Sequence, residues 1–214
     1  MMPNQITALP YSLPDADILL PDNSNRYKIW VPDRIYIVLG RSNNVENALI
    51  KENVLQDDLI VMQRPSGGET VILTPSTLAF SIKFPLLKRV DPQILFKTIN
   101  NSLIEEFISA GVEGVYSKGI SDLSIENQKI MGSSMYLKDN QYFYHAVLNI
   151  SEDPALFSRY LKHPGKEPDY RKGRSHSEFV TSLWKKGYII NEDKSIEIIR
   201  RAIEKTLRVI SFTE

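Results

Sequence analysis

The sequence predicts an α+β domain with a mainly antiparallel sheet flanked by helices. Three observations lead there. Short runs of β-branched and aromatic residues, such as 27–31 and 35–39, read as strands. Residues 115–150 alternate strand-like runs with turn residues, the pattern of a β-meander. Helix-start signals at Asp91-Pro92, Asp153-Pro154 and Ser175-x-x-Glu178 each precede apolar residues at helical spacing.

Taken in order, residues 1–25 are rich in Pro, Asn and Asp around a short segment at 15–20. Pro32-Asp33 forms a turn between the first two strands, and Gly40 ends the second. A short helix is expected from Val45 to Glu52, then strands at 59–62, 70–73 and 78–84. Asp91 caps a helix in which Leu95, Ile99, Leu103 and Phe107 recur every four residues, and Gly111 stops it. Glu126-Asn127 and Lys138-Asp139-Asn140 read as hairpin turns. In the strand that follows, Tyr142, Tyr144, Ala146, Leu148 and Ile150 share one face, and Phe143, His145 and Val147 the other. Asp153-Pro154 starts a helix carrying Leu156, Phe157, Tyr160 and Leu161. Residues 162–174 hold two Pro, two Gly and the cations Lys162, Lys166, Arg171, Lys172 and Arg174, so they form a basic loop. The Ser175 capping box opens a helix with His176, Phe179, Val180, Leu183 and Trp184 on one face, ended by Gly187. A last amphipathic helix carries Ile196, Ile199, Ala202, Ile203 and Leu207. No repeat, low-complexity tract or linker divides the chain, so residues 1–214 are expected to form one domain.

Composition narrows the function. The 26 basic residues balance 26 acidic ones, which leaves no bulk attraction to nucleic acid or anionic membrane. No apolar run reaches membrane-spanning length, and Met1-Met2-Pro3-Asn4-Gln5 lacks the features of a signal peptide, so a cytoplasmic location is the expectation. With no Cys, the chain has no disulfide, no thiolate metal site and no cysteine acyl-enzyme. His145, His163 and His176 do not form a metal-binding pattern, and no metal site is expected.

The chemistry centres on Gln63-Arg64-Pro65-Ser66-Gly67-Gly68-Glu69-Thr70-Val71, between two apolar runs. Gly67 and Gly68 can adopt positive φ and admit close approach to the backbone, so their N–H groups could meet a bound anion. Arg64 adds a donor fork suited to carboxylate or phosphate. The plain alternative is a glycine hairpin with one exposed Arg. A second stretch runs through Ser121-Asp122-Leu123 and Lys129-Ile130-Met131-Gly132-Ser133-Ser134 to His145-Ala146. With Gly40-Arg41-Ser42-Asn43, and in this order and spacing, the motifs resemble the lipoate-protein ligase family, which also includes biotin protein ligases and octanoyltransferases. The resemblance covers roughly residues 27–161.

That resemblance implies the mixed sheet of a class II synthetase-like catalytic domain without the accessory C-terminal domain. It implies attachment of lipoate or octanoate to a lysine of an acceptor, with ATP and Mg²⁺ as cofactors and an acyl-adenylate between. Implied acceptors are lipoyl domains of 2-oxoacid dehydrogenases and the glycine-cleavage H protein, and an accessory ligase subunit is a further possible partner. Lys129 takes the catalytic place, its ammonium offsetting charge between the acyl carboxylate and the α-phosphate. Arg64 would orient phosphate or carboxylate. Ser66, Gly67 and Gly68 would line the acyl and phosphate path, with Gly132 and Ser133 beside Lys129. Asp122 would hold nucleotide or Mg²⁺, or else cap a turn. His145 matches the family's His position, as a structural histidine or a general base. The basic loop reads as a solvated loop, an adenylate lid or an acceptor-docking surface. The sequence departs from the pattern at Gln63, Glu69, Leu73, Ser121 and Ser134. A carboxylate at Glu69 repels a triphosphate, so an ATP-independent transferase and a non-catalytic binding module are the alternatives.

Overall fold

The computed structural model describes residues 5–20, 22–85 and 91–211. The larger sheet has six strands in the order β2 (Tyr27–Trp30), β6 (Thr77–Pro85), β10 (Gln141–Asn149), β9 (Gln128–Lys138), β8 (Asp122–Ile125) and β7 (Tyr116–Lys118), and every neighbouring pair is antiparallel. β7 to β10 are consecutive, which is the expected meander. Its tight turns need left-handed backbone at two successive positions. Glu126 and Asn127 supply φ of 47° and 65°, and Asp139 and Asn140 supply 47° and 58°.

The smaller sheet is mixed, in the order β1 (Leu9–Pro10), β4 (Ile60–Gln63), β3 (Tyr36–Leu39) and β5 (Val71–Leu73). β3 runs parallel to β4 and antiparallel to β5. The glycine stretch is therefore not a hairpin. β3 lies between the strands that flank it, and residues 64–70 arch over the β3 end, where the Arg64 amide bonds to the Leu39 carbonyl at 3.0 Å.

The alternating faces of β10 decide the layering. Tyr142, Tyr144, Ala146 and Leu148 point into a core shared with α3 (Pro92–Ser109) and α6 (Glu192–Ser211). Leu95, Ile99, Leu103 and Phe107 of α3 are each at most 2 % exposed there. The helix begins where the Asp91 side chain accepts the Gln93 amide at 2.9 Å. The opposite face of the larger sheet looks toward the smaller sheet. Val38, Leu73 and Met62 of the smaller sheet pack there with Trp30 and Ala79. The outer face of the smaller sheet buries Ile37, Leu39, Val61 and Ile72 against α1 (Val45–Ala48), α2 (Lys51–Gln56) and α4 (Pro154–Tyr160), through Leu49, Val54, Phe157 and Tyr160.

Two expected helices are interrupted. The one at 45–52 breaks between α1 and α2, because Leu49 leaves helical geometry to bridge Leu161. The one after the Ser175 capping box lasts only through α5 (His176–Phe179). Val180 then turns extended and forms a parallel bridge with Lys129, whose carbonyl accepts the Thr181 amide at 2.9 Å. The backbone bond to the edge of β9 overrides the helical spacing of Leu183 and Trp184.

The central core predicts its own test. Phe107 is 0 % exposed, and Phe107→Ala removes a large aromatic from close packing. Urea titration is expected to show a loss of about 3–5 kcal/mol.

Candidate active site

Between the two sheets lies a cavity of about 640 Å³, walled on one side by β9 and β10 and on another by the basic loop. Its lining includes Arg64, Gly68, Asp122, Lys129, Gly132, Ser133 and His145. Residues far apart in sequence thus meet on one surface. Ser66 and Gly67 do not line it: Ser66 is buried behind the wall and Gly67 is exposed on the surface.

Lys129 reaches this surface because β9 is irregular. Strand alternation puts Ser134 and Gly132 toward the cavity and would carry Ile130, not Lys129, to the same side. Pairing with β8 jumps from Leu123↔Met131 to Ser124↔Lys129, so Ile130 is an extra, bulged residue. Ile130 and Met131 both join the core, and the Lys129 side chain is returned to the cavity. Its ammonium forms an ion pair with Asp122 Oδ1 at 2.9 Å. Gly132 leaves room for it: a Cβ there would lie 2.5 Å from Lys129 Nζ and would push the ammonium from its present place.

Asp122 stands at the start of β8 and is 7 % exposed. Its Oδ2 accepts a short hydrogen bond from the Tyr170 hydroxyl, and Ser121 Oγ donates to Oδ1 at 3.3 Å. Burial, and then the Asp122 charge, raise the Tyr170 pKa far above the usual phenol range. The phenol therefore stays protonated and able to donate. Its ring packs on Phe179 at 5.4 Å and lies 3.3 Å from where a Gly119 Cβ would be. Tyr170 is the residue that fastens the basic loop to the site. It was missed because an aromatic among Pro, Gly and Lys carries no periodic signal.

Arg171 follows it, 4 % exposed, with its guanidinium 4.8 Å from the Phe179 ring centroid. Nε donates to the Arg174 carbonyl at 2.9 Å, while Nη2 is buried and has no hydrogen-bond partner among the described residues. Burial lowers its pKa. Lys162 and Lys166 of the same loop also line the cavity.

Arg64 is 5 % exposed and directs its donors into the protein. Nε donates to Ser66 Oγ at 3.0 Å, Nη1 to the Val38 carbonyl at 3.1 Å, and Nη2 to the Gly67 and Glu69 carbonyls, both at 2.8 Å. Burial lowers its pKa to about 10, so it remains a cation at neutral pH. The glycine stretch therefore folds around its own arginine, with carbonyls turned inward. Ser134 Oγ adds a bond to the Gly67 carbonyl at 2.8 Å. Gly68 adopts φ of 87°, and Gly40 must be bare because a Cβ would sit 1.9 Å from the Gly68 oxygen. Asn43 completes the assembly: Oδ1 accepts the Gly40 amide at 3.2 Å and Nδ2 donates to Glu69 Oε2 at 3.2 Å.

His145 and Ser66 meet with 2.5 Å between Nε2 and Oγ. The ring lines the cavity but lies deep in the protein, and burial, then the Arg64 charge, lower its pKa to about 3. A histidine held neutral in the fold while free to protonate when unfolded makes stability fall as pH drops below about 6.5, down to about 3. His145→Gln is expected to flatten that part of the wild-type profile. Denaturant midpoints measured between pH 7 and pH 4 check it.

Other carboxylates line the cavity besides Asp122: Glu69 near the glycine loop and Asp15 near Tyr11. Among the described residues, no group of three His, Cys, Asp or Glu could hold a metal ion. The donor set fits an anionic ligand, with Lys129, Lys162, Lys166 and Arg171 around it, and offers no all-protein cage for Mg²⁺.

Comparison with known proteins gives the family and the fold. Two curated relatives are the probable lipoate-protein ligase A of Mycoplasma pneumoniae, 27 % identical over 125 residues, and lipoate-protein ligase LplJ of Bacillus subtilis, 24 % identical over 162 residues. The matches cover 58 % and 76 % of this chain but 36 % and 46 % of those proteins, so the chain spans less than half of either relative. Among solved structures, the bi-partite lipoate protein ligase of Thermoplasma acidophilum, studied with its E2 lipoyl domain, superposes with a TM-score of 0.73 at 18 % identity over 85 % of this chain and 71 % of that one. A lipoate-protein ligase A bound with ATP gives 0.72 at 17 % identity over 85 % and 72 %. At this identity the superpositions establish the fold. The description "Lipoyl protein ligase A/B catalytic domain" matches residues 19–208, and the chain belongs to that family.

Proposed function

We propose that this domain attaches lipoate or octanoate to a lysine of a lipoyl-domain acceptor through an acyl-adenylate. The observation that carries the reading is the convergence of Lys129, Asp122 and Gly132 with the cations of the basic loop on one cavity. Bringing a carboxylate up to an α-phosphate sets like charges together. A cation fixed between them offsets that repulsion, and in a site shielded from water the gain is large. Asp122 holds the ammonium of Lys129 over Gly132, and Tyr170 holds Asp122. Arg171, on the cavity lining with its guanidinium against Phe179, is suited to a phosphate oxygen. ATP would lie along the loop, and Mg²⁺ would arrive with its phosphates rather than in a protein cage. Arg64 serves by shaping the wall: it fixes the loop that places Gly68 beside the acyl path. Ser66 joins that loop to His145, and Ser133 and Gly132 keep the floor low.

The names of the relatives support lipoate as the acid, and the ATP-bound neighbour supports ATP. The lipoyl domain studied with the archaeal ligase supports that class of acceptor, and the bi-partite nature of that enzyme is consistent with an accessory subunit acting with this domain.

Intact-mass analysis of a lipoyl domain incubated with this protein, ATP, Mg²⁺ and each acid is expected to show one added acyl group. Mass gain without ATP from an acyl carrier would instead make it a transferase, and no gain would refute catalysis by this domain alone. Lys129→Ala is expected to abolish acid-dependent pyrophosphate release while far-ultraviolet circular dichroism stays unchanged; undiminished release removes Lys129 from its role. Tyr170→Phe keeps the ring on Phe179 and removes the bond to Asp122. Its kcat/KM for pyrophosphate release should fall about tenfold, the worth of one hydrogen bond to a charged group.

A further inference from the structure

The cavity continues past the glycine loop to a second polar cluster that adenylate chemistry leaves unused. Asp15 is 2 % exposed. Tyr11 Oη donates to its Oδ1 at 2.7 Å and Ser81 Oγ to its Oδ2 at 2.5 Å. No ion pair neutralises this carboxyl among the described residues. Burial raises its pKa, while the Trp30 indole N–H lies close enough to oppose that rise without reaching hydrogen-bonding geometry. Burying a carboxyl without a counter-cation is unfavourable, and here it is done on the lining of the cavity that holds Lys129.

Strand register measures how far apart the two ends are. Gly132, beneath the Lys129 ammonium, pairs with Val147, and Val147 pairs with Ala79. Ser81 is two residues further along the same strand. Two strand spacings across and two residues along give roughly 12 Å between the ends, the reach of an extended medium-chain acyl group. The walls between them include Val38, Leu73, Ala79 and Val147, which suit the methylene chain.

At the far end the hydrogens of Tyr11 and Ser81 are already committed to Asp15. Lone pairs on the Tyr11 and Asp15 oxygens remain. A methyl group placed there desolvates acceptors and returns nothing, whereas a donor satisfies them. We propose that Asp15 and Tyr11 form a recognition point for a hydrogen-bond donor at the far end of the acyl chain, so that the domain selects an acid with a donor-bearing tail, such as an alcohol or a dithiol, over one ending in a plain methyl. This rests on reading the cavity as the acyl site.

The test compares octanoate with ω-hydroxyoctanoate, by titration calorimetry of the full chain and by pyrophosphate release with MgATP. The wild type is expected to bind the hydroxy acid at least about tenfold more tightly, as one hydrogen bond allows. Asp15→Leu should abolish or invert the preference, and Tyr11→Phe should narrow it. Equal or better binding of octanoate by the wild type overturns the inference and leaves the cluster a structural brace. So does a preference that survives in folded Asp15→Leu. Where Asp15→Leu does not fold, the wild-type comparison and Tyr11→Phe decide. The expected preference without pyrophosphate release refutes the adenylate reading alone; release with no preference refutes this inference alone; no binding of either acid refutes both.

Discussion

The buried guanidinium of Arg64 is the constraint on which the site depends. Four hydrogen bonds commit it to Ser66, Val38, Gly67 and Glu69. One of these reaches back into β3, so the glycine stretch is stitched to the middle of the smaller sheet rather than left as a free loop. Ser66 then passes the connection to His145 on the larger sheet. The two sheets are held at the separation that leaves a cavity between them. A lysine could not do this, because a single ammonium lacks the planar spread of donors that meets four acceptors in different directions.

Charge in the cavity is arranged in pairs of opposite reach. Lys129 and Asp122 are matched to each other, and the loop cations are held by ring and backbone contacts rather than by strong carboxylate partners. Arg171 lies against Phe179, with Glu167 at 3.5 Å as its only acidic neighbour within ion-pair range among the described residues. Such a loop meets an anion with less local charge to displace. Glu69, whose place in the sequence suggests repulsion of phosphate, is turned to Asn43 by a hydrogen bond.

Much of this was legible from residues alone, and the limits are physical. The meander was readable because its turns need Asn and Asp at left-handed positions. Asp91 and Asp153 announce their helices through capping chemistry that is local in sequence. Lys129, Asp122, Gly132 and His145 were found through motif order, and they share one wall. What stayed hidden depends on pairing at a distance. The apolar runs flanking the glycine stretch look like a hairpin, yet a third strand separates them. The helical spacing after Ser175 yields to a backbone bond at Lys129. Asp15 looks like one acid in a polar leader, because nothing local reveals that Ser81, distant in sequence, stands across from it.

The extra residue in β9 has one more consequence. It reverses the in-and-out order of side chains at a single point, so the strand serves the core and the cavity in adjoining positions. Pairing this strand regularly at its present length, without the bulge, would therefore do more than shift a side chain. It would exchange an ammonium for an aliphatic group at the core boundary, and a chain of otherwise unchanged composition would place a charge against Leu123 and Ile125. The irregular pairing of this short segment thus matters as much as the identity of the lysine itself.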